Sequence, residues 1–175
     1  MSETFLIGDT HFGHRKIIEF LPEYRPFKTI EEHDERLIDN WNSVVRPNDV
    51  VWHLGDVAWN RTAVDLIGRL NGRKYLVMGN HDNDVPTARW LEHFVRVSAQ
   101  EEFDGGVLSH IPVHPYQQYR FKRNIHGHTH DQLVMMNIAG TDVPDPFYWN
   151  VSCEQVDLTP ISYEVLKKRH ANNGT

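Results

Sequence analysis

The chain has 175 residues and a formal net charge of −6, with Lys+Arg 18 against Asp+Glu 24. That balance argues against a nonspecific nucleic-acid coat or an anionic-membrane binder, both of which need excess positive charge. The single cysteine, Cys153, excludes an intramolecular disulfide and a cysteine-built zinc cage.

Taken in chain order, strand and helix patterns alternate. Thr4–Ile7 is β-branched and apolar and ends at Gly8-Asp9, which reads as a buried strand. Thr29-Ile30-Glu31-Glu32 has the form of a capping box. Behind it Ile30, Leu37, Ile38, Trp41, Val44 and Val45 form an apolar stripe of helical period, and Pro47-Asn48-Asp49 ends the helix. Val50–Leu54 is a second short strand, ending at Gly55-Asp56. Thr62–Leu70 reads as a helix closed by Asn71-Gly72. Lys74–Met78 is a third strand, running into Gly79-Asn80-His81-Asp82, and Pro86 opens a short helix to Glu92. Phe94–Ser98, Val107–Ser109 and Asn124–His126 are further strands, the last leading into Gly127-His128-Thr129-His130. Leu133–Ile138 and Tyr148–Ser152 are expected as antiparallel strands. Ser162 is expected to cap a helix to His170, followed by a frayed tail over 171–175. The pattern predicts a layered α/β fold in one domain spanning 1–175. No apolar run approaches the roughly 18 residues that span a bilayer, and no basic leader precedes the first strand, so the expected location is the cytoplasm.

Histidine is the unusual component: there are 12, more than Gly (11) or Phe (8). Polar residues that can bind metals recur just after apolar strands: Asp9-Thr10-His11, Gly55-Asp56, Gly79-Asn80-His81-Asp82, Ser109-His110 and Gly127-His128-Thr129-His130. In α/β sheets that edge is where ligands bind. Carboxylate, imidazole and amide oxygen together suit borderline divalent ions. Such ions can act in pairs about 3.5–4 Å apart on a phosphoryl group.

This ordered set, from residue 9 to 130, resembles the signature of the calcineurin-like metallophosphoesterases. The resemblance implies a four-layer αββα sandwich, two mixed β-sheets flanked by helices. It implies two divalent metal ions, manganese foremost, with iron, zinc, cobalt and nickel as alternatives. One would be held by Asp9, His11, Asp56 and His130; the other by Asp56 as bridge, Asn80, His110 and His128. His81 would face the substrate as the catalytic residue, protonating the leaving oxygen, while hydroxide from water between the metals attacks phosphorus. The protein Ser/Thr phosphatase branch carries Asp-Arg-Gly shortly after the Gly-Asp block. Here that stretch is Val57-Ala58-Trp59-Asn60, which argues against that branch. It also removes the aspartate that orients the catalytic histidine there. Asp82 either takes that role or holds its own loop.

Other residues carry weaker signals. His14 is a candidate for the site rim and His114 for a substrate loop. Arg120, Lys122 and Arg123 could recognise a substrate phosphate or nucleotide, with Tyr116, Tyr119 and Phe121 available for base stacking. Asn80 is a substrate-contact candidate as well as a metal ligand. His53 is expected in the core, His126 in the core or behind the site, and His33, His93 and His170 in solvent. The resulting expectation is a dinuclear metal phosphodiesterase acting on small organic phosphodiesters, cyclic nucleotides included. A nuclease or RNA-processing enzyme with a nucleic-acid partner, and a non-catalytic scaffold of the same fold, are the alternatives.

Overall fold

The computed structural model describes residues 2–172. The tail at 173–175, expected to be frayed, lies outside the described residues. Two mixed sheets form the framework. In the first, β1 (Thr4–Ile7), β2 (Val50–His53), β3 (Arg73–Val77) and β4 (Arg96–Ser98) run parallel in that order. The edge strand β11 (Ile161–Ser162) lies antiparallel to β1. In the second, β6 (Gly106–Ser109), β7 (Asn124–His126) and β10 (Tyr148–Asn150) are parallel, with β5 (Gln100–Phe103) antiparallel at the edge. A separate hairpin joins β8 (Met135–Ile138) to β9 (Thr141–Pro144).

The two sheets share one core. Leu6, Trp52 and Val77 on one face of the first sheet belong to the same apolar cluster as Leu108, Ile125 and Trp149 of the second, and Trp52 reaches Phe103 of the second sheet. Val51 and Leu76 lie on the opposite face, toward the helix Ile30–Val44. Both faces of the inner strands are covered, so these strands read as apolar runs rather than alternations. A parallel bridge between Gly8 and Ser152 ties the end of β1 to the chain beyond β10. This is the αββα sandwich of two mixed sheets. Among the described residues no helix is long and apolar enough to cross a membrane.

Helix α2 (Ile30–Val44), the second after the single-turn α1 (Ile17–Phe20), starts as its sequence directs. Thr29 Oγ1 accepts from the Glu32 amide at 3.2 Å, while the Glu32 carboxylate accepts from the Lys28 amide at 3.0 Å. Leu37, Ile38 and Trp41 are buried, and Val44 turns to solvent. The short α3 (Thr87–Trp90) has Pro86 at its N-cap, and α4 (Tyr163–Asn172) runs past His170.

Four expectations are corrected. Residues 63–69 form a 3-10 helix rather than an α-helix: β-branched Val64 and Ile67 with Gly68 are weak α-formers, and Asn60 Oδ1 takes the Thr62 and Ala63 amides. β10 pairs parallel with β7, because the chain between them crosses back through the β8–β9 excursion before re-entering the sheet. β5, β9 and β11 are additional strands: β5 and β9 are short and polar, one at a sheet edge and one in an exposed hairpin, so neither carries an apolar signal. The two-residue β11 takes in Ser162, whose buried hydroxyl has no hydrogen-bond partner and so does not cap α4.

The Thr29 cap gives a direct check. Thr29→Ala is expected to lower stability by about 1 kcal/mol in urea unfolding, with the slope of the transition unchanged.

Candidate metal centre

The polar blocks after β1, β2, β3, β6 and β7 all fall at the C-terminal ends of parallel strands. The first sheet supplies Asp9, His11, Asp56 and Asn80; the second supplies His110, His128 and His130. Backbone bonds lock the loops together: Asp9 N donates to Gly55 O at 2.9 Å, His11 N to Asp56 O at 3.0 Å, and Gly127 N to His110 O at 3.0 Å. The Asp9 carboxylate accepts from the His128 amide through both oxygens, at 3.1 and 3.0 Å, across the two sheets.

Two groups of donor atoms result. Asp9, His11 and His130 each bring one ligand atom within 4.8 Å of the others, as do Asp56, His110 and His128. Asp56 Oδ2 lies between the groups, 3.4 Å from His110 Nε2 and 3.7 Å from His11 Nε2. Asn80 Oδ1 is 3.0 Å from His110 Nε2, and His128 Nδ1 is 3.2 Å from the same atom. The seven side chains expected to bind metal therefore converge.

The backbone is held in an unusual state to achieve this. Asp9, His11, Asp56, His128 and His130 have φ of 58°, 51°, 54°, 70° and 50°. Each such non-glycine residue costs about 1–3 kcal/mol, and such residues cluster at functional sites. Glycine is required beside them. A Cβ on Gly79 would stand 2.2 Å from Asp56 Oδ1, and one on Gly127 would stand 2.5 Å from Asp9 Oδ2.

The donor set fits a pair of divalent cations on this structure's own terms. His11 Nε2 is buried without a hydrogen-bond partner. His110 Nδ1 donates to Leu54 O at 2.7 Å, which turns Nε2 toward the other ligands. The electrostatics agree. Burial pushes Asp9 up to about 6 against the pull of His110 and His130. Burial pushes Asp56 the same way, but the hydrogen bond and charge of His110, with His11, outweigh it and hold the carboxyl below its usual range. Burial disfavours the charged form of His110, yet the Asp56 hydrogen bond and the Asp9 charge carry it up to about 9. Two buried carboxylates draw positive charge to this point.

Beneath the first group lies a network that the sequence did not signal. Arg25 is fully buried, as is the Glu154 side chain. Arg25 Nε donates to Glu154 Oε1 at 2.7 Å, and its Nη atoms donate to Asp9 O at 2.6 Å and Thr10 O at 3.2 Å. Glu154 Oε2 is 3.2 Å from His130 Nδ1, fixing that ring. Arg25 also donates to His33 Nε2 at 2.8 Å, His33 Nδ1 donates to Asp34 Oδ1 at 2.9 Å, and Asp34 Oδ2 accepts from Gly13 N at 3.0 Å. His33 is therefore buried rather than solvated, and burial lowers its pKa. An isolated Arg and an isolated Glu 129 positions apart carry no motif.

His81 stands at the opening. Its side chain is 40% exposed, its Nε2 is 4.0 Å from Asp56 Oδ2, and its amide donates to Asp56 Oδ1 at 3.0 Å. Asp82 holds its loop and leaves His81 alone. Its buried carboxylate accepts from the amides of Asp56 (2.9 Å), Val57 (2.9 Å) and Gly79 (2.8 Å). His14 lies at the site, stacked on Trp59 and tilted at 45° to His11. His53 bonds Thr10 Oγ1 at 2.9 Å inside the core. His126 is buried, at 2.7 Å from Gly127 O.

The remaining substrate candidates are not brought to the cluster. Arg123 precedes β7, whereas His128 follows it, so they lie at opposite ends of that strand. Arg123 pairs with Asp104 at 3.2 Å and donates to the Tyr163 hydroxyl, and Arg120 pairs with Glu102. His114 caps a 3-10 turn, its Nδ1 accepting from Tyr116 N at 3.2 Å. Phe121 is buried and offers no face for stacking, while Tyr116 and Tyr119 are exposed. His170 stacks on Trp149 at 4.4 Å instead of standing free in solvent. Cys153 is buried with its thiol pushed up by burial, consistent with no nucleophilic role.

Two outcomes follow from this geometry. Glu154→Gln is expected to weaken metal binding at the Asp9, His11 and His130 group by about 10–100-fold, measured by calorimetric titration with Mn²⁺, with the Asp56, His110 and His128 group affected less. Gly79→Ala is expected to displace Asp56 and reduce bound metal below the wild-type stoichiometry, read by elemental analysis of folded protein.

The comparisons with known proteins agree with this construction. An uncharacterised protein of Methanocaldococcus jannaschii is 33% identical over 176 residues, covering 96% of this chain and 91% of its own length. The crystal structure of a protein of unknown function from Aquifex aeolicus superposes with a TM-score of 0.73 at 28% identity, covering 97% of this chain and 100% of its own. The calcineurin-like phosphoesterase family pattern matches residues 4–148. With that match running from β1 to the start of β10 and covering every candidate ligand, the chain belongs to the calcineurin-like phosphoesterase family.

Proposed function

We propose that the protein is a metal-dependent phosphodiesterase of small organic substrates, cyclic nucleotides among them. The observation that carries this reading is the pair of three-residue donor groups with Asp56 between them. Asp9, His11 and His130 would hold one divalent cation, and Asp56, His110 and His128, with Asn80, the other. When bound, such a pair supplies Lewis-acid charge and a water of lowered pKa.

The chain's own residues supply the rest. Asp82 holds the Asp56 and Asn80 loops in one register through three amides. Arg25 and Glu154 fix the Asp9–Thr10 backbone and the His130 ring. His81, half-exposed at the mouth, would donate a proton from its ring to the departing oxygen of the ester. General-acid assistance of this kind is worth about 10²–10⁴-fold in rate. The nuclease reading draws on the basic cluster at 120–123, where the pairing of Arg120 and Arg123 with Glu102 and Asp104 offsets part of the positive charge. A non-catalytic scaffold would be expected to lack ligands, and all seven are present.

Mn²⁺-loaded protein is expected to hydrolyse bis-(p-nitrophenyl) phosphate and to lose that activity with chelator. His81→Ala is expected to lower turnover about 10²–10⁴-fold while metal content stays at the wild-type level. Absence of turnover on every phosphodiester and monoester tested with metal-loaded protein would overturn the enzyme reading, and loss of metal in His81→Ala would reassign His81 as a ligand.

A further inference from the structure

Four aromatic rings close a circuit around the mouth of the site. The centroids of His11 and His14 are 5.3 Å apart, those of His14 and Trp59 3.7 Å, those of Trp59 and His81 4.9 Å, and those of His81 and His11 5.8 Å. Trp59 is the outermost in one respect: His14 lies parallel to it, at 5°, and is itself buried. One face of the indole is thus covered. Yet Trp59 remains 43% exposed, with the His81 ring tilted at 47° beside it, so much of the indole stays open to solvent.

The platform is held in place. Trp59 N donates to Phe12 O at 2.9 Å, and Ala58 bridges in parallel to Phe12. Ala58 and Phe12 are buried, and Asn60 caps the following turn. The segment that presents Trp59 is therefore an extension of the ladder that carries Asp9, His11 and Asp56. A rigid, amphipathic ring left bare next to a polar cluster is the usual equipment of a recognition surface. Its flat face rewards a planar π-system, since every base has a stacking face, and gives an aliphatic chain much less.

We propose that Trp59 is the specificity residue of the site, stacking the base of a nucleotide whose phosphate lies at the cluster. This rests on the phosphoesterase reading above and narrows its substrate class to nucleotides. The His81 ring is 4.9 Å from the indole between centroids, and its Nε2 is 4.0 Å from Asp56 Oδ2, which puts the indole within reach of a base joined through a ribose to a phosphate at the cluster. The pattern-based candidates, Arg120 and Arg123, lie at the far end of β7 and do not compete for this role.

The test compares ligands that differ only in the base. Metal-loaded wild type, Trp59→Ala and Trp59→Phe would be titrated calorimetrically with adenosine 5′-monophosphate and with ribose 5-phosphate. Wild type is expected to prefer the nucleotide by about tenfold, the scale of one base–aromatic stack. Trp59→Ala is expected to erase most of that preference, and Trp59→Phe to retain most of it. No preference in wild type, or an equal loss for both ligands in Trp59→Ala, would overturn the proposal. Hydrolysis of adenosine 2′,3′-cyclic phosphate is scored separately. Absent turnover of this and every other phosphodiester and monoester tested, with the base preference intact, sinks the phosphoesterase reading and leaves Trp59 as a nucleotide-binding residue. Turnover without a base preference sinks the Trp59 proposal alone.

Discussion

The Asp56 carboxylate is the point where the two sheets meet chemically. It leaves the first sheet after β2 and reaches His110 of the second, 3.4 Å away, while its other oxygen takes the His81 amide. A buried carboxylate in this position demands compensation, because burial disfavours its charge. His110 and His11 provide part of it, and the arrangement suits a divalent cation on either side. Everything nearby serves this contact. Gly79 lacks a side chain where one would strike Oδ1, and Asp82 stitches the Asp56 and Gly79 loops together with three backbone amides.

The second feature of the architecture is a buried ion pair used as a support. Arg25 and Glu154 contribute little as a stability device, since desolvation offsets much of their attraction. Their value is geometric. The guanidinium holds the carbonyls of Asp9 and Thr10, and the carboxylate holds His130, so both ends of the first donor group hang from one rigid fork. Through His33 and Asp34 the same fork reaches α2, which couples the outer helix to the position of Asp9 and to the turn at Gly13. Removing either partner alone would strand the other charge in the interior.

The candidate ligands were legible because each sits directly after an apolar strand and belongs to a short block whose order is diagnostic. Glycines in those blocks are legible for the same reason: three of them precede Asp56, Asn80 and His128, where close approach requires a bare Cα. Trp59 stood in plain view as a departure from one branch of the family, but its place beside His81 emerges only from the fold. Arg25, His33 and Glu154 gave no local signal at all. The 12 histidines now sort differently as well. His33 is a buried link, His14 is part of the mouth, and His170 covers Trp149.

The amino-acid sequence by itself determined the apolar inner strands, the capped helix α2, the ordered set of donors and hence the family. Those are local properties: an apolar run, a cap or a glycine before a ligand acts within a few residues. The grouping of the donors around Asp56 was implied by the family resemblance, while the tertiary structure decided that Asp82 serves the loops rather than His81, that Arg25 and Glu154 support the first group, and that Arg120 and Arg123 lie elsewhere. Each of these depends on the register between two sheets and on the strand end from which a side chain departs. Contacts such as Arg25 to Glu154, 129 residues apart, exist only once both sheets have closed on a common core.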